Sequence, residues 1–171
     1  MPTQQLNPQR DAEEILRTVW QRDQLEIRLP VDPFAIAPSL GIRVYVSVLD
    51  SSVSGMLVKQ PGYDDPEIHV QQSDSRNRQR FTCAHELGHY VKRSAEGNDG
   101  KRWQYVDHRD DLASKGKDPE EIYANQFAAN LLMPADLVRM SSQGRSVAAL
   151  AYKFGVSGDA MNFRLDNLGL K

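Results

Sequence analysis

The most informative stretch of this sequence is a short histidine-glutamate motif, His85-Glu86-Leu87-Gly88-His89. Histidines four residues apart lie one turn apart on the same face of a helix, so both imidazoles can reach one ion. Zinc binds neutral imidazole nitrogen in tetrahedral sites. Glu86 directly follows the first ligand and points to the fourth, water-filled position, where a carboxylate acts as general base. The spacing therefore predicts zinc-assisted hydrolysis, with His85 and His89 as ligands and Glu86 as the catalytic residue.

A catalytic zinc site needs a third protein ligand and keeps its fourth position open. Position 95, where one common zinc motif has a histidine, is Ala95, so the third ligand must lie elsewhere. A ligand on a rigid helix is positioned better than one on a glycine-rich loop, which favours Glu120 or Glu121. Asn125 follows Glu121 by one helical turn, so it could orient an imidazole or carboxylate ligand without binding the metal itself. All the candidates for the third ligand carry a carboxylate or an imidazole: Glu96, Asp107, His108, Asp110, Asp111, Glu120 and Glu121.

Substrate contacts are expected from two further groups of residues. A peptide substrate would add itself to an edge strand of the sheet, for which residues 53–59 are the candidate. Ser54, Gly55 and Met56 would then line the substrate, because a glycine lets another backbone approach closely. Stabilising the oxyanion needs a hydrogen-bond donor, and Tyr105 and His108 are favoured because they fall on a long loop. Tyr90 and Tyr123 are the other candidates for this donor.

The N-terminal half predicts short helices followed by a small sheet. Asn7-Pro8 and Asp32-Pro33 are helix starts, and apolar residues at helical spacing extend the first helix over about 8–24. Alternating residues predict strands at 42–48 and 53–59, with a third, short one at 67–70. A meander of about three antiparallel strands fits this order.

The C-terminal half predicts mainly helices. The helix that carries the motif should begin at Ser73 or Asp74 and run to about Arg93. Residues 94–117 are rich in Gly, Asp, Lys and Ser and predict a long loop. Asp118-Pro119 should open a helix that ends at Pro134, and two or three short helices should follow. The fold class is therefore α+β, with a small antiparallel sheet packed on a helical core and a C-terminal group of short helices.

Composition restricts the classes of function. The chain has 171 residues and a net charge of −2, which argues against direct nucleic-acid binding. Residues 148–165 resemble a helix-turn-helix, but Asp159 and Asp166 flank the basic Arg164, so docking onto the hydrolase domain or a regulator is favoured. With one cysteine, no signal sequence and no apolar stretch of membrane-spanning length, the expected compartment is the cytoplasm, without membrane association.

Two blocks of the sequence resemble a known family. Residues 80–89, RFTCAHELGH, resemble the RFTxAHELGH signature of the ImmA/IrrE metallopeptidases, and residues 121–134 resemble that family's ExxANxFAxxLLMP block. The resemblance covers about residues 42–134 and implies a gluzincin-like fold. It also implies that one zinc ion is bound by His85, His89 and Glu121, with Glu86 as general base. Many members have a glutamate where this chain has Tyr123.

The resemblance also implies a substrate class and a domain division. It implies a zinc endopeptidase that cleaves a protein partner, usually a helix-turn-helix transcriptional repressor. We expect a metallopeptidase domain over 1–134 and a helical extension over 135–171 that packs on it. The alternative function is a non-catalytic, metal-containing regulator that binds a transcription factor or DNA.

Overall fold

The computed structural model describes residues 6–21, 27–60, 65–97, 103–108 and 118–170. Helix α1 (Pro8–Ile15) continues into a π-helical turn (Leu16–Trp20) and is followed by α2 (Pro33–Ser39). The sheet strands are β1 (Arg43–Ser47), β2 (Val53–Lys59), β3 (Glu67–Gln71) and β4 (Trp103–His108). The remaining helices are α3 (Arg76–Ala95), α4 (Pro119–Leu132), α5 (Ala135–Ser142), α6 (Val147–Phe154) and α7 (Gly158–Asn167). This architecture confirms the α+β class, with a small sheet on a helical core.

The sheet differs from the predicted meander in order and direction. Its strand order is β1-β3-β2-β4, and β1 runs parallel to β3 while β2 is antiparallel to both of its neighbours. The prediction of a wholly antiparallel, three-stranded sheet is therefore wrong in detail. β1 and β3 are not consecutive in the sequence, and their parallel pairing depends on long-range contacts that residue alternation does not encode.

Strand β4 lies inside the segment for which the sequence predicts a loop. It pairs with β2, with Tyr105 opposite Leu57 and Val106 opposite Met56. β2 consequently lies between two strands, so the expectation that Ser54, Gly55 and Met56 form a substrate-binding edge is wrong. Among the described residues, the edge next to β2 is β4. The strand residues Trp103, Tyr105 and Val106 favour β-structure, and β2 supplies their hydrogen-bonding partners.

The helix starts follow the predicted chemistry. Asn7 and Asp32 accept hydrogen bonds from the first backbone amides of α1 and α2, and Asp118 does the same for α4. The cap of α3 is Ser75, two residues beyond Ser73, and its side chain accepts from the amide of Arg78. The predicted first helix reached residue 24, but residues 22–26 lie outside the described part.

The three C-terminal helices contribute to the same core as the sheet and α3. Val138, Leu150, Phe154 and Met161 are fully or almost fully buried in one cluster with Leu57 and Leu87, among others. Arg164 is only 8% exposed, and its guanidinium donates to Met133 O at 3.0 Å and to Asn130 Oδ1 at 2.8 Å. Arg164, the basic residue after the turn of the helix-turn-helix-like segment, is therefore bound to the end of α4. No helix in the described ranges is long and apolar enough to cross a membrane.

Candidate metal centre and catalytic site

The histidine-glutamate motif lies in the middle of α3 and is buried. His85 and His89 are each 1% exposed, and Glu86 is fully buried. Burying polar side chains at three positions of one helix is unfavourable unless they have partners. The partners come from α4 and from the sheet.

Helix α4 approaches α3 closely because position 88 is a glycine. A Cβ atom at Gly88 would lie 2.9 Å from Ala124 Cα and 3.2 Å from Phe127 Cβ, closer than atoms in van der Waals contact. Gly88 lies between the two histidines in the sequence, so the close contact between α3 and α4 occurs beside His85 and His89. The first turn of α4, which carries Glu121, is thereby brought to the imidazoles.

The donor atoms of His85, His89 and Glu121 face one another. The two Nε2 atoms are 3.0 Å apart, and the Glu121 oxygens lie 3.3 Å from His85 Nε2 and 3.2 Å from His89 Nε2. Ligands at ~2.0–2.1 Å from one tetrahedral zinc ion are about 3.3–3.4 Å apart. Two imidazole nitrogens and one carboxylate, at nearly this spacing, are the donor set of a catalytic zinc site. The residues present therefore fit the metal that the sequence predicts.

The electrostatics of this cluster favour the forms that bind metal. Hydrogen bonds from His85 and His89 hold the pKa of Glu121 well below its ordinary value, so the carboxylate is ionised. Burial lowers the pKa of His89, which favours its neutral imidazole. Metal binding requires an ionised carboxylate and neutral imidazoles, so the pKa shifts of Glu121 and His89 both run in the direction that an ion needs.

Outer contacts orient the two imidazoles. His85 Nδ1 lies 3.1 Å from Asn125 Oδ1, which accepts a hydrogen bond from the ring. The Nε2 lone pair of His85 is then directed at the donor cluster. His89 Nδ1 has the Glu120 carboxylate at 3.9 Å. Glu120 in turn pairs with Arg93 at 3.2 Å. Glu121 rather than Glu120 thus lies at the donor cluster, and Glu120 lies behind His89.

Glu86 lies on the side of α3 that faces the sheet. A Cβ at Gly55 would collide with Thr82 Cγ2 and come within 3.5 Å of Glu86 Oε1. Gly55 is therefore required for the close approach of β2 to α3, although it does not line a sheet edge. The Glu86 carboxylate therefore lies next to β2, and Glu86 is not among the three residues whose donor atoms lie together.

Tyr105 and His108 differ in their relation to the cluster. The Tyr105 ring stacks on His89 with a centroid distance of 4.5 Å, while His108 is exposed. Burial and the hydrogen bond to Glu120 raise the pKa of Tyr105, so its hydroxyl remains protonated. That hydroxyl also accepts from Arg93. The structure brings Tyr105 to the cluster and places His108 at the far end of β4, and their role as oxyanion donors stays a prediction.

The other candidates have different partners. Tyr90 donates to Leu40 O at 3.3 Å, and Tyr123 donates to Asp11 at 2.8 Å, away from the histidines. Asp107 lies 3.7 Å from Arg78, and Glu96 pairs with Arg93. Asp110 and Asp111 lie outside the described residues.

Sequence reasoning missed the cluster of Arg93, Glu120 and Tyr105 behind His89. Arg93 follows His89 by four residues and therefore lies on the same face of α3, which is a signal that the sequence does contain. Tyr105 could not be placed there from the sequence because β4 was not predicted.

A family model described as peptidase M78, the IrrE N-terminal-like domain, matches residues 37–166. No curated protein matched the chain.

Proposed function

Since this chain belongs to the IrrE N-terminal-like family of M78 metallopeptidases, we propose that it is a zinc-dependent endopeptidase that cleaves a protein partner. The observation that carries this proposal is the spacing of the three donor atoms. His85, His89 and Glu121 would hold the ion, and the distances of 3.0–3.3 Å between their donor atoms suit tetrahedral zinc. When bound, zinc supplies Lewis-acid activation of a water molecule and of the scissile carbonyl.

The chain's own residues do the rest of the chemistry. The Glu86 carboxylate accepts the proton of the attacking water and returns it to the nitrogen of the leaving amine. Its complete burial keeps bulk water away and strengthens its interaction with that proton. Asn125 holds His85 in the tautomer whose Nε2 is free for the metal, whereas the Glu120 carboxylate lies 3.9 Å from His89 Nδ1, beyond hydrogen-bond distance.

The substrate would bind in extended form along β4. This strand is the edge of the described sheet next to the donor cluster, and Tyr105 on it stacks against His89. Its outer hydrogen-bonding groups are the ones to which a peptide backbone adds. The substrate is thus still proposed to add to an edge of the sheet, but that edge is β4 and not β2.

For the partner, we propose a helix-turn-helix transcriptional repressor, the substrate class implied by the resemblance of the two motif blocks. Direct DNA binding by this chain is not part of the proposal. Its basic Arg164 is buried against α4, and the net charge is −2.

A cleavage experiment with one catalytic variant tests the proposal. The zinc-loaded full chain and its Glu86→Gln variant are each incubated with a host-cell extract, and new protein N-termini are identified by mass spectrometry. Glu13→Gln, an exposed change of the same type on α1, is the matched control. We expect new N-termini with the wild type and the control, and none with Glu86→Gln, which should still bind zinc. Identical N-termini in all samples, with full biological activity of Glu86→Gln, would instead favour the non-catalytic regulator.

A further inference from the structure

A cavity of about 210 Å³ lies beside the candidate metal centre, where α3 meets the turn between α6 and α7. Phe81 connects the cavity to the centre, because its ring centroid is 6.4 Å from that of His85. The cavity is lined by Asn77, Arg78, Phe81, Val156, Ser157 and Ala160. It is thus built partly from the C-terminal helices, to which the proposed function assigns no role.

Three of the six lining residues are apolar and three are polar. Phe81, Val156 and Ala160 supply the apolar surface. Arg78 stands at the rim, where its guanidinium donates to Ser54 Oγ at 3.0 Å and lies 3.7 Å from Asp107 Oδ2. Such a lining accommodates an uncharged side chain and disfavours a basic one, because Arg78 would repel it.

The cavity is preformed. Asn77 Nδ2 donates to Val156 O at 3.0 Å, and Arg80 Nε donates to Gly155 O at 3.0 Å, so the start of α3 is fixed to the α6–α7 turn. Gly155 has φ +64° and closes α6 in the left-handed conformation that glycine adopts readily. A rigid cavity binds a side chain without an entropic cost for ordering its walls.

The position of the cavity suits a substrate that lies along β4. Arg78 joins α3 to β2 and β4 through Ser54 and Asp107, so the cavity lies next to the strand along which the substrate is proposed to bind. Phe81 lies one helical turn, about 6 Å, before His85. Side chains on one side of an extended peptide recur at about 6.6–6.8 Å. A residue within about two positions of the scissile bond therefore reaches the cavity.

We propose that this cavity is a specificity subsite that takes an aliphatic or aromatic side chain of the substrate, close to the bond that is cleaved. The inference rests on the proposed function, because it assumes that a peptide substrate lies along β4. It assigns to the α6–α7 turn the role of selecting substrate rather than contacting DNA.

Binding of peptide hydroxamates to the zinc-loaded full chain tests the inference without requiring cleavage. The hydroxamate binds zinc, and the series carries glycine, leucine or lysine at either of the first two positions beside it. Isothermal titration should give roughly 10- to 100-fold tighter binding for leucine than for glycine at one position, since one apolar side chain becomes buried. Lysine should bind no better than glycine there.

Two variants locate the preference. Ala160→Phe fills the cavity and should remove the advantage of leucine, while Ala148→Phe makes the same change on an exposed position of α6 and should retain it. Ala160→Val is the smaller change if Ala160→Phe fails to fold, as checked by circular dichroism. Equal affinities across the series, or a leucine preference that survives in the folded Ala160 variant, would overturn the subsite and leave the metal centre intact. If no hydroxamate binds the zinc-loaded chain, the proposed function itself fails.

Discussion

Replacing Gly88 by alanine tests whether close helix packing sets the metal geometry. The added Cβ would lie 2.9 Å from Ala124 Cα, whereas carbon atoms in contact are about 3.5–4.0 Å apart. Helix α4 must therefore move away from α3 by roughly 0.6–1 Å. Ligand distances in a metal site tolerate only about ±0.2 Å, so Glu121 would no longer complete the donor cluster at its present spacing.

Stability and metal affinity should respond differently to this substitution. Alanine favours a helix interior over glycine by about 1 kcal/mol. Overpacking costs about 1–3 kcal/mol. The metal-free variant should thus lose only about 0–2 kcal/mol of unfolding free energy. Zinc affinity should fall about 10- to 100-fold, the range found when groups that orient ligands are lost.

The assay is a zinc titration in competition with a chromophoric chelator, together with denaturant unfolding of the metal-free chain. Gly158→Ala is the matched control, because a Cβ there has no heavy atom within 4 Å and should leave zinc affinity unchanged. The packing argument is refuted if Gly88→Ala binds zinc as tightly as the wild type and its metal-free form is more stable.

Three further predictions follow from single contacts. Asn125→Ala should lower zinc affinity about 10- to 100-fold in the same titration, because His85 Nδ1 loses its acceptor, and an unchanged affinity would contradict that role. Tyr123→Phe should lower the unfolding free energy by about 1 kcal/mol through loss of the hydrogen bond to Asp11, with zinc affinity unaltered. Cys83 should react with a thiol reagent at pH 8 only after unfolding, because burial raises its pKa and keeps the thiol protonated; rapid labelling of the native chain would count against this.

The parts of the site that were predictable from sequence are those set by local geometry. His85 and His89 share a helix face by their spacing alone, and Asn125 follows Glu121 by one turn on α4. The structure accordingly places Glu121 at both imidazoles and Asn125 at His85. The choice of Glu121 over Glu120 also rested on the family resemblance, because both residues lie in the first turn of the same helix.

The parts that were not predictable depend on contacts between distant segments. Strand β4 forms against β2, and neither its existence nor its edge position is evident from residues 103–108 alone. The predicted substrate edge was wrong for the same reason, since pairing with β4 makes β2 interior. The cavity beside Phe81 needs both α3 and the α6–α7 turn, and Asn77 and Val156, which join them, are 79 residues apart in the chain.

The C-terminal helices hold both ligand-bearing helices, at the last turn of α4 and in the first half of α3. Arg164 of α7 binds the last turn of α4 at Met133 and Asn130, and Arg80 binds the α6–α7 turn near the start of α3. The two ligand helices are therefore joined at one end by α6 and α7.

At the other end, the first turn of α4 meets α3 through charged and polar groups, with Glu121 at the histidines and Glu120 at Arg93. A metal ion held there adds a link between α3 and α4 that apolar packing does not provide at this end. Because the ion binds the folded arrangement and not the separated helices, its binding free energy stabilises the first turn of α4 against local opening. The same ion would thus both activate water and hold Glu121 next to His85 and His89. Local opening of the first turn of α4 would then also remove the metal site that hydrolysis requires.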